Sequence, residues 1–169
     1  MAATFLLKID GIKGESQYEG YSDYMQVDTW RVGGTNTGTW GAGKGGTGGT
    51  FSADDLDVTA KSNKATPKMI EACAQGKHFK TATLVALKAG GSGKPVEYLK
   101  ITMTDVIISK HSMGYEMPPP GTQGGELAVD NFSLDFAKIG VEYKEQTSEG
   151  SAGPGTEGGF DLAKLQSGK

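Results

Sequence analysis

The stretch GTWGAGKGGT, residues 38–47, has the spacing closest to a phosphate-binding loop. Four residues separate Gly38 from Gly43-Lys44, and Gly41, Gly43 and Gly46 also fit G-x-G-x-x-G. Such loops cradle phosphates with backbone N–H groups, place a hydroxyl after the lysine for magnesium, and lead into a helix whose N-terminus faces the anion. Here Gly45 follows Lys44, and GGTGGTFSADDLDVT runs through more glycine into a strand. The nucleotide reading fails on context. Asp54, Asp55 and Asp57 lie close together but lack the glycine and distal glutamate of a calcium loop. Cys73 and His78 are metal-ligand types, yet a lone cysteine on an apolar helical stripe reads as core filler. His111 has no partner motif, and no G-x-S-x-G or other nucleophile–base arrangement is present. The sequence therefore predicts no catalytic, cofactor-binding or metal-binding residues.

Aromatic residues are the remaining binding candidates. Tyr18, Tyr21 and Tyr24 sit in a polar loop, with Trp30 and Trp40 further on. Tyrosine and tryptophan are enriched at protein interfaces, and they serve equally as core or loop anchors.

The bulk properties narrow the partners. With 169 residues the chain is long enough for one real core, and a formal charge of -3 gives no basic footprint for nucleic acid. Its 27 glycines are clustered rather than periodic, which excludes collagen and points to long loops. One cysteine excludes an internal disulfide. The opening MAATFLLKIDGIKGE is apolar only over Phe5–Leu7, too short for a signal peptide or a membrane span. The expectation is a cytoplasmic chain that leaves the cell, if it does, with nothing cleaved.

Period-two alternation dominates the elements. Phe5, Leu7 and Ile9 share one strand face; Phe79, Thr81, Thr83, Val85 and Leu87 another; Leu99, Ile101 and Met103 a third; and Phe132, Leu134 and Phe136 a fourth. Shorter strands fit YMQVDTWRV and TFSADDLDVT. In the first of these, Met25 and Val27 share a face that excludes Trp30, so a bulge or face switch is required near Asp28-Thr29. GGSGK, residues 90–94, reads as a hairpin loop. One helix interrupts the strands: Thr66 as N-cap, Pro67 in the first turn, Met69, Ile70 and Cys73 as the packing stripe, and Gly76 as the stop. Three prolines argue against a ladder in residues 112–125, and the Gly/Ser/Glu-rich residues 145–159 read as mobile. Phe160, Leu162 and Leu165 form a short docking motif near the end. These elements predict a mainly β, mostly antiparallel sandwich or closed barrel over residues 1–144 with one flanking helix, followed by a flexible tail over 145–169.

An ordered set of segments resembles the haemolysin-coregulated protein (Hcp) family, the tube protein of type VI secretion. It comprises LKIDGIKGES (7–16), DTW (28–30), DDLDVT (54–59), ATPKMIEACAQGKH (65–78), KAGG (88–91), VEYLKITMTDVIIS (96–109) and VDNFSLDFAKIGVEY (129–143), with GGFDL (158–162) echoing the family's end. The resemblance implies an antiparallel two-sheet β-barrel with one flanking helix, assembled as a homohexameric ring and stacked into a tube that works with sheath, spike and baseplate proteins. The tube is secreted when the sheath contracts and carries effector proteins in its lumen. It also implies that the glycine run 38–50 is part of a long connection between strands. Trp30 is then expected in the barrel core and Arg31 at the lumen, as the cargo-contacting candidate. Arg31, Val32, the tyrosine loop 17–24 and the MPPPG segment depart from the family pattern, which bears on cargo preference. The competing expectation from the residues alone is a monomeric β-barrel that binds a small ligand.

Overall fold

The protein is described by a computed structural model covering residues 3–41, 44–117, 119–122, 128–164 and 166–167. In chain order the elements are β1 (Thr4–Ile9), β2 (Met25–Val27), β3 (Thr29–Arg31), β4 (Gly34–Asn36), β5 (Thr39–Gly41), β6 (Lys44–Thr47), β7 (Phe51–Ala53), β8 (Leu56–Lys61), α1 (Thr66–Gln75), β9 (His78–Ala89), β10 (Pro95–Tyr115), β11 (Ala128–Gln146), β12 (Ala152–Asp161) and β13 (Gln166–Ser167). A curled antiparallel sheet runs β13-β12-β11-β10-β9-β1-β2. One edge of β11 is divided between two partners. Val129–Leu134 pair with β8, while Lys138–Gln146 pair with β12.

Residues 25–31 tie the two sides of the curl together. β2 pairs with β1 through Met25↔Leu7 and Val27↔Phe5, whereas β3 pairs with β8 through Trp30↔Val58. The change of partner falls at Asp28, whose N–H donates to the Thr59 carbonyl. This is the face switch that the sequence required. It lets Met25 and Val27 point into the core from one side and Trp30 approach it from the other.

Leu7, Ile9, Leu56, Met103, Phe132 and Leu134 fill the interior. Each such side chain, fully removed from water, is worth about 1.5–3 kcal/mol. Alternation along the strands is not uniform. In β9 the core side chains are Phe79, then Ala82 and Leu84, so the face changes between residues 79 and 82 and the continuous odd-numbered stripe expected from the sequence does not hold. β10 steps from Met103 to Val106 and β11 from Phe136 to Ile139 at the same level, since Val106 pairs with both Phe79 and Phe136. Asp105, at the centre of this line, has φ +54. Three neighbouring strands thus turn over together.

Val85 and Leu87 face outwards and, with Leu6, form a second apolar cluster covered by Tyr18, Tyr21 and Tyr24. The tyrosine loop is therefore a lid over the outer side of β1 and β9. The Tyr21 hydroxyl donates to Glu97 at 3.0 Å, Tyr21 and Tyr24 meet edge to face, and the loop crosses back over Gly14, where a Cβ would collide with the Tyr24 carbonyl.

Two expectations about loops change. Residues 145–159 belong largely to the sheet: β11 reaches Gln146, and β12 pairs along it from Ala152. Glycine and serine misled because this edge strand is mostly exposed and needs backbone pairing rather than apolar alternation. β10 also continues into the proline-bearing loop as far as Tyr115, which pairs with Ala128. The docking motif is accounted for by Phe160, edge-on to Phe51 at 4.9 Å, and by Leu162, whose N–H donates to Ala137; Leu165 lies outside the described residues. Among the described residues no helix is long and apolar enough to cross a membrane.

Burial and the neighbouring Glu97 carboxylate push the Tyr21 hydroxyl up to about 12 from its ordinary 10.0. Folding therefore favours the neutral phenol. Its contribution is complete below pH 10 and is lost as pH rises from 10 towards 12. In thermal melts across that window, the wild type is expected to lose Tm faster than Tyr21→Phe, with the two curves parallel below pH 9; parallel loss throughout would contradict the lid contact.

Candidate assembly and cargo surfaces

Helix α1 lies against β10. Its packing face is Thr66, Met69 and Ala72, all buried, with Cys73 half-buried beside them. Ile70 is 41% exposed, which corrects its place in the predicted stripe. At about 100° per residue, Ile70 points roughly 100° away from the centre of the buried arc, whereas Cys73 stays within it. Thr66 is not the N-cap either. Ala65 holds that position without a side-chain cap, and Asn63 Oδ1 accepts from the Ala65 N–H instead. Gly76 does end the helix, at φ 61 in the left-handed region, and the Lys77 N–H donates to the Ala72 carbonyl.

The Thr66 hydroxyl is used inwards. It donates to Asp130 Oδ2 at 2.5 Å, while Ser62 donates to Asp130 Oδ1 at 2.7 Å. Asp130 is fully buried. His111 stands 3.9 Å from the same carboxylate, with its side chain 3% exposed and its ring stacked on Phe132. Desolvation holds its imidazole below the ordinary histidine range, against the opposing pull of Asp130. Sequence reading gave His111 no partner. The available signal was Asp130 itself, a carboxylate standing two residues before Phe132 on the apolar face that continues to Leu134. His111 reaches that face because a bulge between Ile108 and Lys110 shifts the phase of β10.

The opposite face of the same strands is polar and ordered in rows. Arg31, Asp57, Ser133 and Lys110 are successive cross-strand neighbours on β3, β8, β11 and β10, and Thr29, Thr59, Asn131 and Ser112 form the next row. Together they line an open groove of about 540 Å³. Its one lining carboxylate is engaged, since Ser133 donates to Asp57 at 2.6 Å, and beyond the groove Ser109 donates to Asp55, also at 2.6 Å. Asn131 Oδ1 accepts from Thr59 at 2.8 Å. Among the described residues neither Arg31 nor Lys110 forms an ion pair, so no neighbouring acid such as Asp28 or Asp55 neutralises Arg31. Trp30, on the inward side of β3, is half-buried at the margin of the core and meets Phe5 edge-on at 5.9 Å.

Among the described residues, and besides Ile70 on α1, large apolar side chains are exposed at three places. β4 pairs with β7 and β5 with β6, and Trp40 of β5 is 90% exposed. The glycine run thus forms a hairpin, and the lysine of the phosphate-loop pattern begins a strand rather than a helix. The end of β10 presents Met113 and Tyr115, with Met117 beyond it. Phe51, Ile139, Val141, Tyr143 and Phe160 line an open apolar groove of about 600 Å³ where the core face continues onto β11 and β12.

The family profile described as "Type VI secretion system effector, Hcp" matches residues 6–143. The curated protein hcp1 of Pseudomonas aeruginosa strain PAO1 is 35% identical over 151 residues, covering 89% of each chain. Among solved structures, Hcp1 from Salmonella typhimurium superposes with a TM-score of 0.78 at 30% identity, over 99% of both chains. The structure described as a type six secretion system protein reaches a TM-score of 0.86 at 22% identity, over 99% of this chain and 100% of that one, which speaks for the fold.

The helix assignment separates two neighbouring residues. Met69→Ala is expected to cost about 2–5 kcal/mol as a core truncation, and Ile70→Ala less than about 0.5 kcal/mol in the monomer. Chemical denaturation of both variants checks the difference, and equal losses would return Ile70 to the packing stripe.

Proposed function

The chain belongs to the Hcp family of type VI secretion system proteins, and from that premise we propose that it is a non-enzymatic tube component, assembling into homohexameric rings that stack. The observation that carries this reading is the match to the family over residues 6–143, on a barrel of the family's fold. The exposed surfaces support it. A closed ring needs heterologous contacts, in which one patch meets a different patch on the neighbour. Contiguous exposed apolar patches mark such contacts, and this chain offers a projecting Trp40, a Met113–Tyr115–Met117 stripe and the Val141–Tyr143 groove at separate places. The packed interior, filled by Leu7, Met103 and Phe132, speaks against the monomeric ligand-binding barrel.

In this reading the tube is secreted on sheath contraction, engages sheath, spike and baseplate, and holds effector proteins in its lumen. The row Arg31–Asp57–Ser133–Lys110 faces that lumen. Hydroxyls hold the carboxylates of this face, so Arg31 and Lys110 are the groups left to meet a cargo. Ring symmetry repeats each cation in every subunit, which gives circles of positive charge suited to acidic effector surfaces.

Native mass spectrometry at micromolar concentration is expected to give a hexamer; monomer alone would remove the proposal. With the ring established, Arg31→Glu is expected to leave the hexamer intact and to lower co-purification of an acidic effector several-fold, with the difference shrinking at high salt. Equal recovery from both intact rings would take Arg31 out of cargo contact.

A further inference from the structure

Asp130 is the only fully buried carboxylate among the described residues, and it holds two segments together. It belongs to β11, while its hydroxyl partners Ser62 and Thr66 belong to the segment that starts α1. Thr66 Oγ1 also accepts from the Asn63 N–H at 2.9 Å, so the first turn of the helix and the link before it share one anchor. That anchor faces His111 of β10. The imidazole Nε2 is buried and has no hydrogen-bond partner. A buried polar atom left unpaired costs about 1–3 kcal/mol, so its retention beside a carboxylate calls for an account.

We propose that His111 is an acid-sensitive latch: protonation of its imidazole draws Asp130 away from Ser62 and Thr66 and releases the start of α1 from the sheet. At neutral pH the ring is uncharged and Nε2 leaves Asp130 to the two hydroxyls. An imidazolium is a donor at both nitrogens and attracts the carboxylate, but 3.9 Å is too long for a charge-assisted bond, which forms at about 2.7–2.9 Å. Closing that gap moves the carboxylate towards β10 and lengthens its bonds to the helix segment.

The surroundings leave few competing charges. From β11, Asp130 and the Phe132 ring face the imidazole; from the segment before α1 and its first turn come the neutral hydroxyls of Ser62 and Thr66. Among the described residues Asp130 is the charged group beside His111, and desolvation outweighs its pull, holding the imidazole below its ordinary range. A base held below its ordinary value stabilises the fold fully above about pH 6.5 and loses that contribution as pH falls below it.

The test is amide hydrogen exchange on the intact protein at pH 7.5 and 5.0, corrected for intrinsic rates. In the wild type, amides of the 62–75 segment are expected to lose protection about tenfold at pH 5.0, while β9 amides paired with β1 do not. His111→Gln, which cannot be protonated, is expected to show no such pH dependence. A pH-independent wild type, or an equal loss in both proteins, overturns the latch. If His111→Gln does not fold, an NMR titration of the wild-type His111 ring decides instead. A midpoint below 6.5 that moves together with α1 resonances supports the proposal, and a midpoint at or above 6.5, or α1 resonances that stay fixed, refutes it.

Discussion

A strand as long as β10 cannot keep one face dry and still wrap around a core unless its alternation is interrupted. At about 3.3 Å per residue, Pro95–Tyr115 spans roughly 70 Å, several times the width of a small barrel. Strict period-two alternation would leave much of one apolar stripe in water. The chain instead changes phase three times, at the bulge between Glu97 and Leu99, at Asp105 and at the bulge between Ile108 and Lys110. Each change reassigns which side chains are covered. The first puts Glu97 with Leu87 under the tyrosine lid, the second carries the core face from Met103 to Val106, and the third turns His111 inward and Lys110 outward.

The partners of β10 follow these changes because cross-strand neighbours share a face. β9 and β11 turn over at the level of Asp105, and that turn is where β11 passes from β8 to β12. Asp135 marks the gap between the two partners, its carboxylate accepting from the Phe136 N–H. The polar rows and the buried Asp130–His111 pair are therefore two sides of one construction. They lie back to back on the same strands, and one residue of slippage would exchange them.

Much of this was legible in the sequence. The antiparallel strands, the single helix, the GGSGK hairpin and the break near Asp28 follow from alternation and turn chemistry, which act locally, whereas the barrel rather than a sandwich came from the family resemblance. What escaped were phase changes and edges. Nothing within Phe79–Leu87 announces that the strand turns over, because the cause lies in its neighbour at Asp105. Ile70 was assigned to the wrong face since a short helix with one exposed apolar residue admits two stripes. The Ala152–Asp161 strand lacks apolar alternation, being an edge whose pairing is carried by its backbone. Of the candidate surface, Arg31 came from the family resemblance rather than from its own pattern, and its row with Asp57, Ser133 and Lys110 depends on register between segments far apart in the chain.

The stitch made by residues 25–31 bears on how the chain comes to fold. β9, β10, β11 and β12 are successive in sequence and joined by hairpins, so they can pair as soon as each is made. β1 has to wait for β9, because its Leu6 pairs with Val85, and β3 cannot settle before β8. Contacts that span so much chain pay loop-closure entropy first and form slowly. Residues 25–31, which need both β1 and β8 in place, are thus set to close last. Until they do, the apolar face of Phe5–Ile9 stays open to any other unfinished chain nearby, and the order of synthesis, N-terminal strand first, makes that interval longest for the strand least able to protect itself.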